Sequence, residues 1–358
     1  MTFREIKIGE LLGFIASDFY KNSPIIPISP QRAISQSNNP NSKATDVALI
    51  LALDNSENII GYIGILPGKI TNNSAPYFWN SCWWVDTKKG KLAAMLLFYK
   101  MLQISNKKMV FFELTETTKN IVAKFKFKTE VVTGFKGFLL FNFAQILSRK
   151  NNFFKTIKPL LSFSDWFLNC FISLKLSKFK KDTNIECKPI TSIDEETEKF
   201  IHQFSDSQLI PINKSELNWI IKYPWINTRP TIEDKQIAKR YFFSSVSKSF
   251  SNNLYKVYKD EKLIAVLFFT IRNNEMKLPY AYFNSDDTSS VIDAIYQIAI
   301  NKLVKSFTCF NQQLVQELNT SKNPFTFTKP LSKNIAYPST LNVNRNMMQD
   351  GDGDAVFC

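Results

Sequence analysis

Thr87, Lys88, Lys89, Gly90 and Lys91 put three cations, a hydroxyl and a glycine into five positions. Such a run suits an anion, phosphate above all, wherever backbone N–H groups converge on the same point. Its neighbours supply that condition. An aromatic, β-prone stretch ending Trp83, Trp84, Val85 and Asp86 leads into it, and Leu92, Ala93, Ala94, Met95, Leu96 and Leu97 open a dense apolar segment after it. Strand, basic turn and helix therefore follow one another. A helix beginning at Lys91 or Leu92 has first-turn amides without intrahelical partners, facing the turn with the positive end of the dipole behind them. Gly90 lets backbone approach a ligand closely.

The chain that must position this turn has 358 residues, 44% of them hydrophobic, enough for about two domains. Its formal charge of +14 is uneven, with 13 Lys or Arg against 3 acids over residues 119–182. A belt of that kind attracts phosphates, anionic lipid or nucleic acid. The five cysteines lie far apart with no CxxC or zinc spacing, which fits a reduced, cytoplasmic compartment. Residues 1–10 lack the apolar core of a signal peptide. His202 is the sole histidine, which nearly excludes histidine triads and multi-histidine metal sites; it reads as a surface or cap histidine, and no metal is expected.

Apolar spacing predicts a helix over 8–20, then a Pro- and Asn-rich loop or broken helix over 23–46 carrying Arg32, Ser35, Asn38 and Asn39. Strands over 47–53 and 59–66 form a hairpin, and 77–86 is a third strand. The helix from Leu92 is apolar nearly all round and is expected to be buried across a sheet. A strand over 109–114, a short helix over 119–125 and a closing hairpin of 127–132 with 138–143 follow.

This order, with its turn before the central helix, resembles the GNAT superfamily of N-acyltransferases over roughly residues 1–143. In that family the turn cradles the pyrophosphate of acyl-coenzyme A. Its pattern is Gln or Arg, two residues, Gly, one residue, then Gly or Ala; here Gly90 takes the first glycine and Leu92 the second small position. The stretch Asn120, Ile121, Val122, Ala123, Lys124, Phe125, Lys126, Phe127 resembles the family's late segment, with Lys126 in place of its usual Gly and Val122 where many members carry a tyrosine acid.

The second half repeats the order: a hairpin of 254–259 with 263–271, a strand over 276–284, a helix through Val291, and a strand over 307–310. Leu92 to Val291 is 199 residues and Val110 to Phe307 is 197. Near-constant spacing predicts a duplicated α/β (α+β) fold, two tandem GNAT-like domains, each a mixed, mostly antiparallel sheet flanked by helices. The expected divisions are 1–143, a basic amphipathic linker over 144–182, and 183–358. Where the first copy has lysines the second has Ser285, Asp286, Asp287, Thr288, Ser289 and Ser290, which suit a helix N-terminus but repel pyrophosphate. The second copy is read as a degenerate donor site.

The linker interleaves aromatics with lysines, including Lys155, Lys158, Lys175, Lys178, Lys180 and Lys181. It admits two readings: helices packed between domains, or an amphipathic helix lying on anionic lipid at the inner membrane. The tail's Asp350, Gly351, Asp352, Gly353, Asp354 admits a calcium loop or a turn-rich end docking Val356 and Phe357.

The resemblance implies transfer of an acetyl or other acyl group from acetyl-coenzyme A or another acyl-coenzyme A to a small-molecule amine. Tandem bacterial relatives suggest an amino-sugar in surface-polysaccharide assembly. Val85, Thr87, Lys88, Lys89, Gly90, Lys91, Leu92 and Ala93 then hold the donor, with a backbone N–H near Val85 polarising the thioester carbonyl. Glu113 and Asp86 are the candidate bases, Tyr99 the substitute acid, and Arg32, Asn39 and Trp84 the acceptor contacts. Two other readings stay open: a peptidoglycan-type aminoacyltransferase taking aminoacyl-tRNA, the one nucleic-acid partner considered, though no coiled-coil heptads are present, and a non-catalytic ligand-binding protein on the same fold.

Overall fold

The computed structural model describes all residues except 71–75, 178–183, 344–346 and 358, together with the side chains of Lys91, Gln145, Arg149, Lys175 and Ser177. Lys178, Lys180, Lys181 and Cys358 thus lie outside the described residues. The strands are β1 (Thr2–Lys7), β2 (Val47–Leu53), β3 (Ile59–Gly68), β4 (Tyr77–Val85), β5 (Met109–Leu114), β6 (Phe127–Phe138), β7 (Ile185–Ile190), β8 (Phe250–Lys259), β9 (Lys262–Arg272), β10 (Glu275–Phe283), β11 (Ser306–Cys309) and β12 (Phe327–Pro338). The helices are α1 (Leu11–Ala16), α2 (Asp18–Asn22), α3 (Pro30–Ser37), α4 (Lys91–Ile104), α5 (Glu116–Ala123), α6 (Phe143–Lys150), α7 (Phe153–Thr156), α8 (Lys158–Ser177), α9 (Glu195–His202), α10 (Lys214–Lys222), α11 (Ile232–Lys239), α12 (Thr288–Asn301) and α13 (Gln312–Thr320).

The chain forms two compact units. The first gathers Met1–Val132, Ser192–Phe250 and Ser332–Cys358, and the second Thr133–Thr191 and Ser251–Leu331. In the first, the sheet order is β1-β2-β3-β4-β5-β12. All pairs are antiparallel except β4 with β5. Strand β2 is apolar at every position because both of its faces are covered. Leu49, Leu51 and Leu53 pack with Leu11, Phe14 and Ala33 of α1 and α3, whereas Ile50 and Ala52 pack with Ala93, Leu97 and Phe98 of α4.

Helix α4 differs from expectation. Ala93, Leu97, Phe98 and Met101 are buried, but Leu92, Met95, Leu96 and Tyr99 are exposed. A helix crossing one sheet face buries only the stripe that faces it, however apolar the rest. The expected closing hairpin over 127–143 is also absent. Residues 127–138 form a single strand, β6, and α6 begins at Phe143.

The reason is an exchange between the two halves of the sequence. Strand β5 pairs with β12, and β11 pairs with the second half of β6. Each unit's sheet is completed by a strand from the other half of the chain. Gly137 permits this in the second unit, since a Cβ there would lie 2.5 Å from the Phe325 ring. That unit runs β6-β11-β10-β9-β8-β7, with α12 and the inner face of α8 in its core through Val291, Ile295, Ile172 and Leu176. Hairpin, strand, helix, strand, helix recur in both units, and β10 with β11 is again parallel.

The tail ends in the first unit's core. Phe357 is 1% exposed, stacks on Trp225 (4.6 Å, 8°) and meets Trp219 edge-on at 4.8 Å. Phe357→Ala should cost about 3–5 kcal/mol of stability, read as a lowered urea midpoint with unchanged slope.

Candidate functional site

Strand β4 runs directly into the basic turn and then α4, as the residue pattern predicts. The turn's amides are partly spoken for. Oδ1 of Asp86 accepts from Lys88 N and Lys89 N, each at 2.8 Å, and the Asp86 carbonyl accepts from Gly90 N at 2.8 Å. These bonds hold the Asp86 carboxyl below the usual carboxylate range, the Lys89 and Lys88 amides being the main cause. Asp86 therefore shapes the turn and is a poor base. Gly90 is needed for the turn itself, since a Cβ would fall 2.6 Å from the Asp86 carbonyl and 2.9 Å from that of Ile60.

No side chain caps the first turn of α4. The amides of Lys91, Leu92 and Ala93 head the helix, and the Leu92 side chain points into solvent at 67% exposure. Thr87, Lys88 and Lys89 are exposed around them, with Lys89 Nζ 3.4 Å from Asp54.

Beside this turn the parallel strands part. Strands β4 and β5 pair only through Phe78 with Met109 and Trp79 with Val110, leaving the rest of β4, through Val85, and of β5 unpaired with each other. At the far end of β5, Phe112 and Glu113 stand opposite a single residue of β12, a bulge that puts Glu113 at φ 55°, a left-handed conformation unusual for a side-chain-bearing residue. Glu113 is exposed. Lys126, at the position where the resembled family carries glycine, is likewise left-handed at φ 64°, and Val122 is buried in the core.

The chemistry at this gap centres on Arg32 and Asp354. Ser29 Oγ accepts from Arg32 N at 3.3 Å and Pro30 opens α3, which turns Arg32 inward. Its Nη1 donates to the Tyr241 hydroxyl at 2.9 Å and its Nη2 to the Ser81 carbonyl of β4. The guanidinium carbon lies 4.0 Å over the Trp225 ring. Nη2 is also 3.6 Å from Asp354 Oδ2, and the two side chains are 4% and 28% exposed. Arg32 is thus enclosed while Asp354 remains reachable. Gly353 packs on the Phe112 ring, where a Cβ would meet it at 2.8 Å, so the tail stands at the parting of β4 and β5.

Burial pushes the Asp354 carboxyl up to about 6, with Arg32 opposing and the Glu113 charge assisting. Burial also raises the neighbouring Cys82 thiol, which stays neutral. Asp350 pairs with Lys333 at 2.6 Å, and Asp352 Oδ2 accepts from Gln349 N at 3.0 Å; among the described residues no group of three or more carboxylate, thiol or imidazole side chains gathers as a metal site requires.

The other expected residues are placed as follows. Asn39 is buried, donating to Pro67 O and accepting from Asn41 N, which pins the loop to β3. Trp84 stacks on Phe242 at 4.3 Å, and the Phe242 ring is 57% exposed. Tyr99 faces solvent on α4, and His202 is exposed on α9. Asp354 and Tyr241 were not legible in the sequence as partners of Arg32. They come from more than 200 positions away, and nothing local marks them.

No protein-family model matches the chain, and no curated protein matches it. Solved structures do. An Enterococcus faecalis protein of unknown function, titled a probable N-acyltransferase, aligns with a TM-score of 0.51 at 10% identity, covering 94% of this chain and 73% of its own. A GCN5-related N-acetyltransferase from Anabaena variabilis gives 0.49 at 10% identity (94% and 72% covered). Saccharomyces cerevisiae N-myristoyltransferase with bound myristoyl-CoA gives 0.48 at 9% identity (98% and 82% covered). At such identities the likeness is one of architecture: the chain shares the overall fold of the Enterococcus faecalis protein.

Asp352 gives this region a measurable pH signature. It is 1% exposed, and burial raises its carboxyl to about 8. A folded-state value above the unfolded one near 4 means its stabilising contribution is complete below about pH 4 and lost as pH rises through about 8. Asp352→Asn should therefore melt progressively higher than wild type from pH 5 to pH 9, by a few degrees at the top of that range.

Proposed function

We propose that the first unit binds an acyl-coenzyme A at residues 85–93 and transfers its acyl group to a primary amine. The observation that supports this most is the parting of β4 and β5 after two residue pairs, beside a helix N-terminus that no side chain caps and that Lys88 and Lys89 flank. The residues present suit the donor: free first-turn amides and two exposed ammonium groups favour a pyrophosphate. Bound there, coenzyme A supplies a thioester carbonyl and a thiolate leaving group.

The chain's own residues supply the rest. Ionised Asp354 takes a proton from the acceptor ammonium, freeing the nitrogen lone pair to attack the carbonyl carbon. The N–C bond forms as the C–S bond breaks. The amide nitrogen sheds its second proton, and the departing thiolate takes one up. A backbone N–H near Val85 polarises the carbonyl oxygen, and Arg32 holds Asp354 in place. A carboxylate with a value near 6 is ionised at neutral pH yet basic enough for this task. An acetyl donor and an amino-sugar acceptor are the finer reading, supported by the exposed Phe242 ring on Trp84 as an apolar platform for a sugar face. A reducing, cytoplasmic setting suits the free thiols of Cys82, Cys170 and Cys187.

Isothermal titration with acetyl-coenzyme A should show micromolar binding by wild type and at least about tenfold weaker binding by Lys88→Glu/Lys89→Glu. No binding by wild type, or equal binding by the variant, ends the donor assignment. In thiol-release assays across an amine panel, Asp354→Asn should lower kcat by roughly 100-fold, and wild-type kcat/KM should fall as pH drops below about 6.

A further inference from the structure

Helix α8 buries Ile172 and Leu176 in the core of its unit, and two of its polar residues, Asp165 and Asn169, also face inward. Asp165, 8% exposed, accepts from Phe143 N at 2.8 Å and Ala144 N at 2.9 Å, capping α6, and Asn169 bonds both the N–H and the C=O of Phe141. Its outward face is apolar. Leu160, Phe163, Trp166, Phe167, Phe171 and Leu174 recur at spacings of three and four and are 51–64% exposed. Six large side chains left in water on one helix face form a patch that a soluble surface does not tolerate without a purpose.

The charge around the patch is of one sign. Between Glu130 and Asp182 the only acid in the sequence is Asp165, which is buried, against nine Lys or Arg. Lys150, Lys155 and Lys158 are exposed on α6, α7 and the start of α8. Among the described residues, no helix is long and apolar enough to cross a membrane. An apolar face with tryptophan and phenylalanine, rimmed by lysines and free of exposed carboxylates, matches the layering of an anionic bilayer surface: acyl chains below, phosphates at the level of the ammonium groups.

We propose that α8 lies flat on an anionic membrane, with Phe163, Trp166, Phe167 and Phe171 inserted at the headgroup–acyl boundary and the lysines of α6 to α8 on the lipid phosphates. This does not depend on the transferase reading.

The test is co-sedimentation of the full chain with vesicles of phosphatidylcholine alone or with about 30% phosphatidylglycerol. Wild type should sediment with the anionic vesicles, several-fold less with the neutral ones, and less again as salt rises. Phe163→Glu/Phe167→Glu should lower binding at least about tenfold, and Lys155→Glu/Lys158→Glu several-fold on anionic vesicles only, both with unchanged thermal melting because these side chains are exposed. Wild type that stays in the supernatant, or a Phe163→Glu/Phe167→Glu variant that binds equally, overturns the proposal. So does a wild-type dimer in sedimentation velocity that this variant dissolves without any vesicle binding, which would assign the face to a second copy of the chain.

Discussion

One buried guanidinium organises the first unit. Taking a cation out of water is costly unless hydrogen-bond acceptors and a countercharge stand near. Arg32 meets that demand with the Tyr241 hydroxyl, the Ser81 carbonyl, Asp354 and the face of Trp225. Those groups come from the end of α11, from β4, from the tail and from the segment after α10. A single charge thus ties three sequence-distant segments to the strand that borders the gap, and it stands beside the partly enclosed Asp354 carboxylate. The elevated Asp354 value follows from the same enclosure, because burial outweighs the attraction of the cation that fixes it.

The two units show how little of a duplicated fold's chemistry is set by the fold. Strand, turn and helix recur, yet the turn before α4 carries lysines while the one before α12 carries Asp286 and Asp287. Aspartates at a helix N-terminus complement its dipole and repel an anionic ligand. In the first unit Asp86 accepts from the Lys88 and Lys89 amides but leaves those of the helix proper. Helix α8 makes a related point. Its Asp165 and Asn169 side chains serve neighbouring backbone, and large apolar side chains from Leu160 to Leu174 are left outward.

Most elements of the fold were legible because their signals are local. The apolar run of β2, the alternation and turn between β2 and β3, and the repeat near 199 residues each follow from side chains close in sequence. The basic turn was legible for the same reason. The exchange of β6 and β12 was not, since a strand's periodicity states which faces it buries but not which strand it pairs with. Helix α4 misled by its composition: every face is apolar, and only the sheet beneath it determines which stripe is buried.

By itself, the sequence determined the element order, the absence of a multi-histidine site and the electrostatic contrast between the two turns, because charge and periodicity are properties of short stretches. Tertiary structure alone decided that Asp86 is consumed by its own turn, that Arg32 is enclosed, and that Asp354 stands at the parting of β4 and β5. Those outcomes depend on burial and on partners more than 200 residues apart, and solvation of a charge exists only once the surrounding chain has closed over it.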